Sequence, residues 1–163
     1  VDFMVVHART VAQKYKGAAN HDVTREIVAS TSLPVIANGD VRDEIDAARV
    51  LAHTGACGLM LGRGAVADPK LFARIRGSAP PRPSGEVRKR ELSAHLELLL
   101  RGYVDVFHGD AQVLSKLKET LAHVADPELA RWIKVLKKQR RVATVAALLA
   151  EVRLAPAAEQ ARR

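Results

Sequence analysis

Residues 34–75 read PVIANGDVRDEIDAARVLAHTGACGLMLGRGAVADPKLFARI, and this stretch decides the fold. Pro34-Val35-Ile36-Ala37 is a short apolar run of strand length, and Leu59-Met60-Leu61 is a second. Between them Glu44 to His53 follows a helical pattern, with Ile45, Ala48, Leu51 and Ala52 on one face and Gly55 where a left-handed C-cap belongs. Beyond the second run, Asp68-Pro69 offers an N-cap with proline at the first helical position. Leu71, Phe72 and Ile75 then form an apolar face, and Gly77 closes the helix. Upstream, Phe3-Met4-Val5-Val6 is a further apolar run, and Val23 to Ser30 is helical. Continuous apolar runs of this kind are expected of strands buried on both faces. Strand–helix alternation at this pitch means βα units and a parallel sheet.

Three units do not close a barrel, because a complete (β/α)8 barrel takes roughly 250 residues. Residues 1–77 are therefore expected to be the C-terminal part of a TIM barrel. The chain opens at Val1, inside an apolar run and without an initiator methionine, so a parent protein that continues upstream is expected. Residues 78–91, which open with SAPPRPSG, read as a linker. From residue 92 to 155 only helical spacing remains. One run comprises Leu92, Leu96, Leu99, Tyr103 and Val106, and the next Val113, Leu114, Leu117, Leu121 and Val124. Asp126-Pro127 opens another helix, and Val145, Leu148, Leu149 and Val152 form a last apolar face. Short connections between such helices suggest a small bundle. The tail, 156–163, is expected to fray. The fold class is thus α/β followed by all-α.

The chain carries 26 Lys and Arg against 18 Asp and Glu, a net charge of +8, which favours a polyanionic partner. Its single cysteine, Cys57, excludes an internal disulfide framework and suits a reducing, cytoplasmic setting. No apolar run is long enough to span a bilayer, so no membrane partner is expected, and no metal site is expected either.

In parallel α/β barrels the chemistry sits on loops at the carboxyl ends of the strands. Here those ends carry His7-Ala8-Arg9-Thr10, Asn38-Gly39-Asp40 and Gly62-Arg63-Gly64. Glycines let backbone N–H groups approach an anion closely, and Arg63 adds a forked charge suited to phosphate. Each cluster alone is commonplace: Asn-Gly-Asp is most often a turn, Gly-Arg-Gly a strand end, His7 a satisfied polar side chain. Their arrival at the same end of consecutive strands is what argues for a site. In the helical half, Leu129, Trp132, Ile133 and Leu136 share one face of the helix from Pro127, with Trp132 read as core. Arg131, Lys134, Lys138 and Arg141 share the opposite face, with Lys137 and Arg140 nearby and Lys116 and Lys118 as extensions. A phosphate backbone and a merely solvated face account equally well for such a stripe on composition alone. Aromatic residues are only 4% of the chain, so phosphate and shape contacts rather than base stacking would dominate.

The strings HARTVAQKYKGAANHD, PVIANGDV and GACGLMLGRGAVADPKLF, in this order, resemble the tRNA-dihydrouridine synthases over the last part of their barrel. The alanine in the first string and the later IKVLKK helix look most like the C-type bacterial subgroup. The resemblance implies an enzyme that uses FMN, reduced by NADPH, to transfer hydride to the uridine 5,6 double bond in tRNA. It implies His7 beside the isoalloxazine, Asn38, Gly39 and Asp40 along the ribityl phosphate arm, and Gly62 and Arg63 on the phosphate. It places Arg9 near the RNA, and it makes the helical segment a tRNA-binding domain. The family's proton-donating cysteine belongs to the first half of the barrel. Cys57 instead stands at a strand entry opposite the mouth and reads as a small, buried or half-buried side chain. The chain alone is accordingly expected to be inactive and its full-length parent a monomer. His21 falls where the family often has a bulky aromatic, and it reads as either a packing group or an exposed one. Two rivals stand. Another FMN-dependent TIM-barrel oxidoreductase, of the dihydroorotate dehydrogenase or old yellow enzyme kind, would normally lack a basic helical appendage. A stand-alone RNA-binding module with a vestigial half-barrel would have to stay monodisperse despite open sheet edges.

Overall fold

The computed structural model describes residues 1–14 and 16–155, so the tail expected to fray lies outside the described residues. The chain divides into two compact units, residues 1–66 with 70–81, and residues 67–69 with the chain from Arg82.

The first unit runs β1 (Met4–His7), α1 (His21–Ser30), β2 (Val35–Asn38), α2 (Glu44–Thr54), β3 (Gly58–Met60), α3 (Arg63–Ala67, its last residue in the second unit) and α4 (Leu71–Ile75). The strands form one parallel sheet in the order β1-β2-β3, with His7 level with Asn38 and Asn38 level with Met60. Asn20 caps α1 by accepting from the Asp22 amide, and Asp43 caps α2 by accepting from the Asp46 amide. Gly55 ends α2 in the left-handed conformation, φ 67°. Thr54, fully buried, accepts from the Ala56 amide and donates to the Val50 carbonyl, and so welds that helix end to the entry of β3.

Helices cover one face of this sheet. Ala37, Val41, Ala47, Val50 and Ala56 form the core there, with Val28, Leu59, Leu61 and Ile75 packed against it. The other face is open: Phe3, Val5 and Met60 are each about half exposed. The expectation of strands buried on both faces is therefore corrected. β1 alternates half-buried with exposed, because no described element of this unit lies over the second face. The buried face of α2 is also different, being Ala47, Val50 and Thr54 while Ile45, Ala48 and Ala52 are exposed. Alanines on both sides of this helix blur its apolar stripe, and contact with the sheet decides which side is inside. Asp68-Pro69 precedes α4 rather than capping it; the helix starts at Leu71 after Lys70.

The second unit holds α5 (Gly85–Val106), α6 (Gly109–Leu121), α7 (Ala130–Lys138) and α8 (Val142–Leu154). The stretch expected as linker to residue 91 is helical from Gly85, because Ser84 caps α5 by accepting from the Val87 amide and a helix-forming run follows. Leu92, Leu96 and Leu100 of α5, Val113, Leu114, Leu117 and Leu121 of α6, Ile133 and Leu136 of α7, and Val145 and Leu149 of α8 make a single core. Val106, expected on the buried face of α5, is exposed, and Leu100 takes the inside position. Ser93 donates to the Leu149 carbonyl at 2.7 Å and so fixes α5 against α8. No described helix is long and apolar enough to cross a membrane. Leu121, fully buried in this core, gives a direct measure of its weight. Leu121→Ala is expected to cost about 2–5 kcal/mol in urea unfolding followed by helical circular dichroism; a loss under about 1 kcal/mol would mean the core is not close-packed there.

Candidate functional site

The three strands deliver their polar loops to one end of the sheet. His7 is exposed at the end of β1. Asn38 donates its side-chain amide to the Met60 carbonyl at 2.8 Å, which ties β2 to β3 at the same level. The chain then turns through Gly39 (φ 136°) and Asp40 (φ 49°). A side chain on Gly39 would meet the Ala19 methyl at 3.0 Å, so glycine is needed both for the turn and for the close approach of the Ala19 segment. Asp40 is one of the few residue types that adopts the left-handed region at modest cost.

Asp40 is the centre of the cluster. Arg9 Nη2 donates to both its oxygens, at 2.8 and 2.6 Å, and the Ala19 amide donates to Oδ2 at 2.7 Å. The other arm of the guanidinium, Arg9 Nη1, donates to the Lys16 and Gly17 carbonyls at 3.2 and 2.8 Å. The Asn20 amide returns to the Ala8 carbonyl at 2.7 Å, closing the loop. The Arg9 side chain is only 5% exposed, with Nη1 and Nη2 engaged inside the protein and Nε buried without a partner among the described residues. Partial burial by itself would raise the Asp40 carboxyl, but the bonds from Arg9 and Ala19 and the charges of Arg9 and Arg42 outweigh it and hold it below its ordinary value.

Arg63, at the start of α3, brings Nη2 to 3.7 Å from Asp40 Oδ1, and half of its side chain is exposed. Gly64 is buried, and a Cβ there would lie 2.2 Å from the Val41 carbonyl, so the Arg63 turn sits tightly against the Asp40 loop. His21 was not resolved by sequence reasoning; it is half-buried, and its Nε2–H donates to the Gly39 carbonyl at 3.1 Å. Its place beside the α1 N-cap, Asn20, was the available signal. Cys57 stands just before β3, at the end of the sheet away from this cluster, and donates Sγ–H to the Val35 carbonyl at 3.2 Å. The residue is exposed rather than buried.

In the second unit Arg131, Lys134 and Lys138 are exposed on α7, opposite Leu129, Ile133 and Leu136. Arg141 is exposed but does not continue that face. The helix ends at Lys138, Gln139 is extended, and Arg141 occupies the N-cap of α8 without a capping bond. Among the described residues Arg131, Lys134, Lys137, Lys138, Arg140 and Arg141 form no ion pair, whereas Lys116 pairs with Glu119 at 3.0 Å. Trp132 is half-buried against the core, with Lys89 Nζ 5.8 Å from its ring centre.

A three-stranded parallel sheet with basic and glycine-rich loops at its carboxyl ends, followed by a helical unit, defines an α/β protein with an all-α segment. The comparisons specify it further: the dihydrouridine synthase (Dus) family matches residues 1–153, and the chain belongs to that family of oxidoreductases. It is 41% identical over 108 residues to a probable tRNA-dihydrouridine synthase of Rhodobacter capsulatus, covering 63% of this chain and 33% of that protein. It is 40% identical over 105 residues to tRNA-dihydrouridine synthase B of Escherichia coli K12, covering 61% and 32%. It is 38% identical over 128 residues to tRNA-dihydrouridine(16) synthase of Cupriavidus necator, covering 76% and 40%. The chain thus spans about a third of the length of the curated relatives it matches, and near-equal identities speak for the family rather than for a subgroup.

The donor set fits the phosphate arm of a flavin nucleotide. Arg63 offers a half-exposed guanidinium, a Cβ on Gly62 would meet nothing within 4 Å, and the one carboxylate of the cluster is already answered by Arg9.

The folded Asp40 carboxyl lies below its ordinary value of 3.8, so the Arg9 pair stabilises fully above that pH and fades as pH falls through the lowered folded value. Asp40→Asn is expected to cost about 1–2 kcal/mol at pH 7, a moderate figure because solvent still reaches the pair. Its stability should then decline less steeply into acid than that of the unaltered chain. Urea unfolding across pH 2–7 checks this, and superimposable acid limbs would remove Asp40 from the linkage.

Proposed function

We propose that this chain supplies the flavin-phosphate loops and the RNA-binding helices of a tRNA-dihydrouridine synthase, its α/β unit being part of a TIM barrel. The observation that carries the reading is Arg63 beside a neutralised Asp40, level with Asn38 and His7 at the carboxyl ends of three parallel strands. Gly62 and Arg63 would hold the FMN phosphate, Asn38 and Gly39 would line its ribityl arm, and His7 would stand beside the ring. Bound FMN, reduced by NADPH, would supply hydride to the uridine 5,6 double bond. Cys57 is at the wrong end of the sheet to protonate the product, so the proton donor is another residue of the full-length enzyme and the isolated chain is inactive. The reaction belongs to the cytoplasm, where tRNA is found.

For tRNA, electrostatics within the helical unit supports the reading. Lys137 and Lys138 lie in the last turn of α7, where the helix dipole favours cations. Arg131 lies in the first turn of the same helix, and Arg141 caps the start of α8, where the dipole disfavours them by about 0.3–1 kcal/mol each. Neither first turn contains an acidic residue. Arginines held at helix starts without a partner are accounted for by an anion from outside, and a phosphate backbone supplies a row of them.

Two measurements test the proposal. Arg63→Ala in the full-length enzyme should purify with much less FMN, and full flavin occupancy would refute the phosphate assignment. Replacing Arg131, Lys134 and Lys138 together by glutamine should weaken tRNA binding and lower the slope of log affinity against log salt by about 2–3, close to one per lost phosphate contact. An unchanged slope would reduce the stripe to a solvated helix face.

A further inference from the structure

A phosphate site with a carboxylate at its edge is electrostatically contradictory. Asp40 Oδ1 lies 3.7 Å from Arg63 Nη2, so any phosphate held by that guanidinium has a second anion within several ångströms. The contradiction is resolved by the opposite side of Asp40, where Arg9 donates to both carboxylate oxygens and the Ala19 amide to one of them. Arg42 adds a further positive charge felt by the same carboxylate. Resting on the flavin-phosphate reading, we propose that Arg9 is a positioning residue that masks the Asp40 charge, so that Asp40 does not repel a phosphate held by Arg63. Asp40 in turn acts through others, its Oδ2 holding the Ala19 segment over Gly39.

The geometry favours masking over direct contact. The Arg9 side chain is 5% exposed, Nη1 is engaged by the Lys16 and Gly17 carbonyls, and Nε, the donor without a partner among the described residues, is itself buried. A buried guanidinium bonded to both oxygens of a part-buried carboxylate cancels much of its charge at short range. Removing Arg9 therefore does more than lose a bond, because it exposes a full negative charge beside the phosphate site.

The test compares FMN with riboflavin, which lacks the phosphate, by flavin fluorescence quenching on the full-length enzyme. The ratio of their affinities reads the phosphate contribution alone. Arg9→Gln is expected to lower that ratio about tenfold, the size of one unmasked charge at this range in a partly screened site. Adding Asp40→Asn to Arg9→Gln removes the unmasked charge and should restore the ratio to within about threefold. Arg9→Lys, which keeps the charge without the fork, should leave it nearly unchanged and guards against a loop that has merely unfolded. Equal losses of FMN and riboflavin in Arg9→Gln, or no recovery in the double variant, would overturn the masking role. Arg63→Gln separates the two ideas. If it lowers the ratio while Arg9→Gln does not, the phosphate reading stands and masking fails. If it leaves the ratio unchanged, or if the unaltered enzyme has no preference for FMN, both fall.

Discussion

The Asp40 carboxylate accepts from Arg9 and from the Ala19 amide at once, and this pair of contacts joins the loop after β1 to the turn after β2. The rest of the strand-end cluster depends on it. Gly39 can meet Ala19 closely only because the loop is held down, and His21 reaches the Gly39 carbonyl only because α1 starts at the foot of that loop. Asn38, one residue before the turn, fastens the same region to β3 through Met60. Arg63 then enters from the far side, its turn pressed onto Val41 by the absence of a side chain at Gly64. Four segments distant in sequence are registered around one charge.

Much of this was legible in the residues and part was not. The strands, their parallel order and the location of the three polar loops followed from alternating apolar runs and helical spacing. The family followed from three strings whose order and spacing matter more than any one of them. What escaped was tertiary in origin. Nothing local tells that Arg9 turns inward to Asp40, 31 residues away, instead of outward to a ligand, because an arginine after a strand serves either purpose. The inner face of α2 was misread for a similar reason: Ile45 is the most apolar side chain of its first turn, yet the sheet selects Ala47 and Val50. Boundaries erred in the usual direction. α5 begins at Gly85 through a serine cap inside what reads as a linker, and Gln139 ends α7 before Arg141 can join its charged face.

The two units handle positive charge in opposite ways. In the first, Arg9 answers Asp40, Arg25 meets Asp22, and Arg49 meets Asp46. Most of these pairs are exposed and contribute little to stability. In the second, Arg88 meets Asp126 and Arg153 meets Glu97, and those pairs also serve the interior. The cations of α7 and its junction with α8 are the exception.

The basic stripe of α7 carries an electrostatic cost. Dispersed surface cations would serve solubility with less mutual repulsion, and a cluster of like charges raises the energy of the folded helix. Lys137 and Lys138 recover some of that cost from the dipole of α7, but Arg131 and Arg141 sit where the dipole adds to it. The hydrophobic face of α7 meets the cost, since Leu129, Ile133 and Leu136 are almost fully buried in the common core. A helix so anchored can hold a repulsive surface in readiness, and a partner that neutralises it gains both the contacts and the relief of repulsion. At Asp40 the balance is the reverse, since its charge is already met within the protein by Arg9.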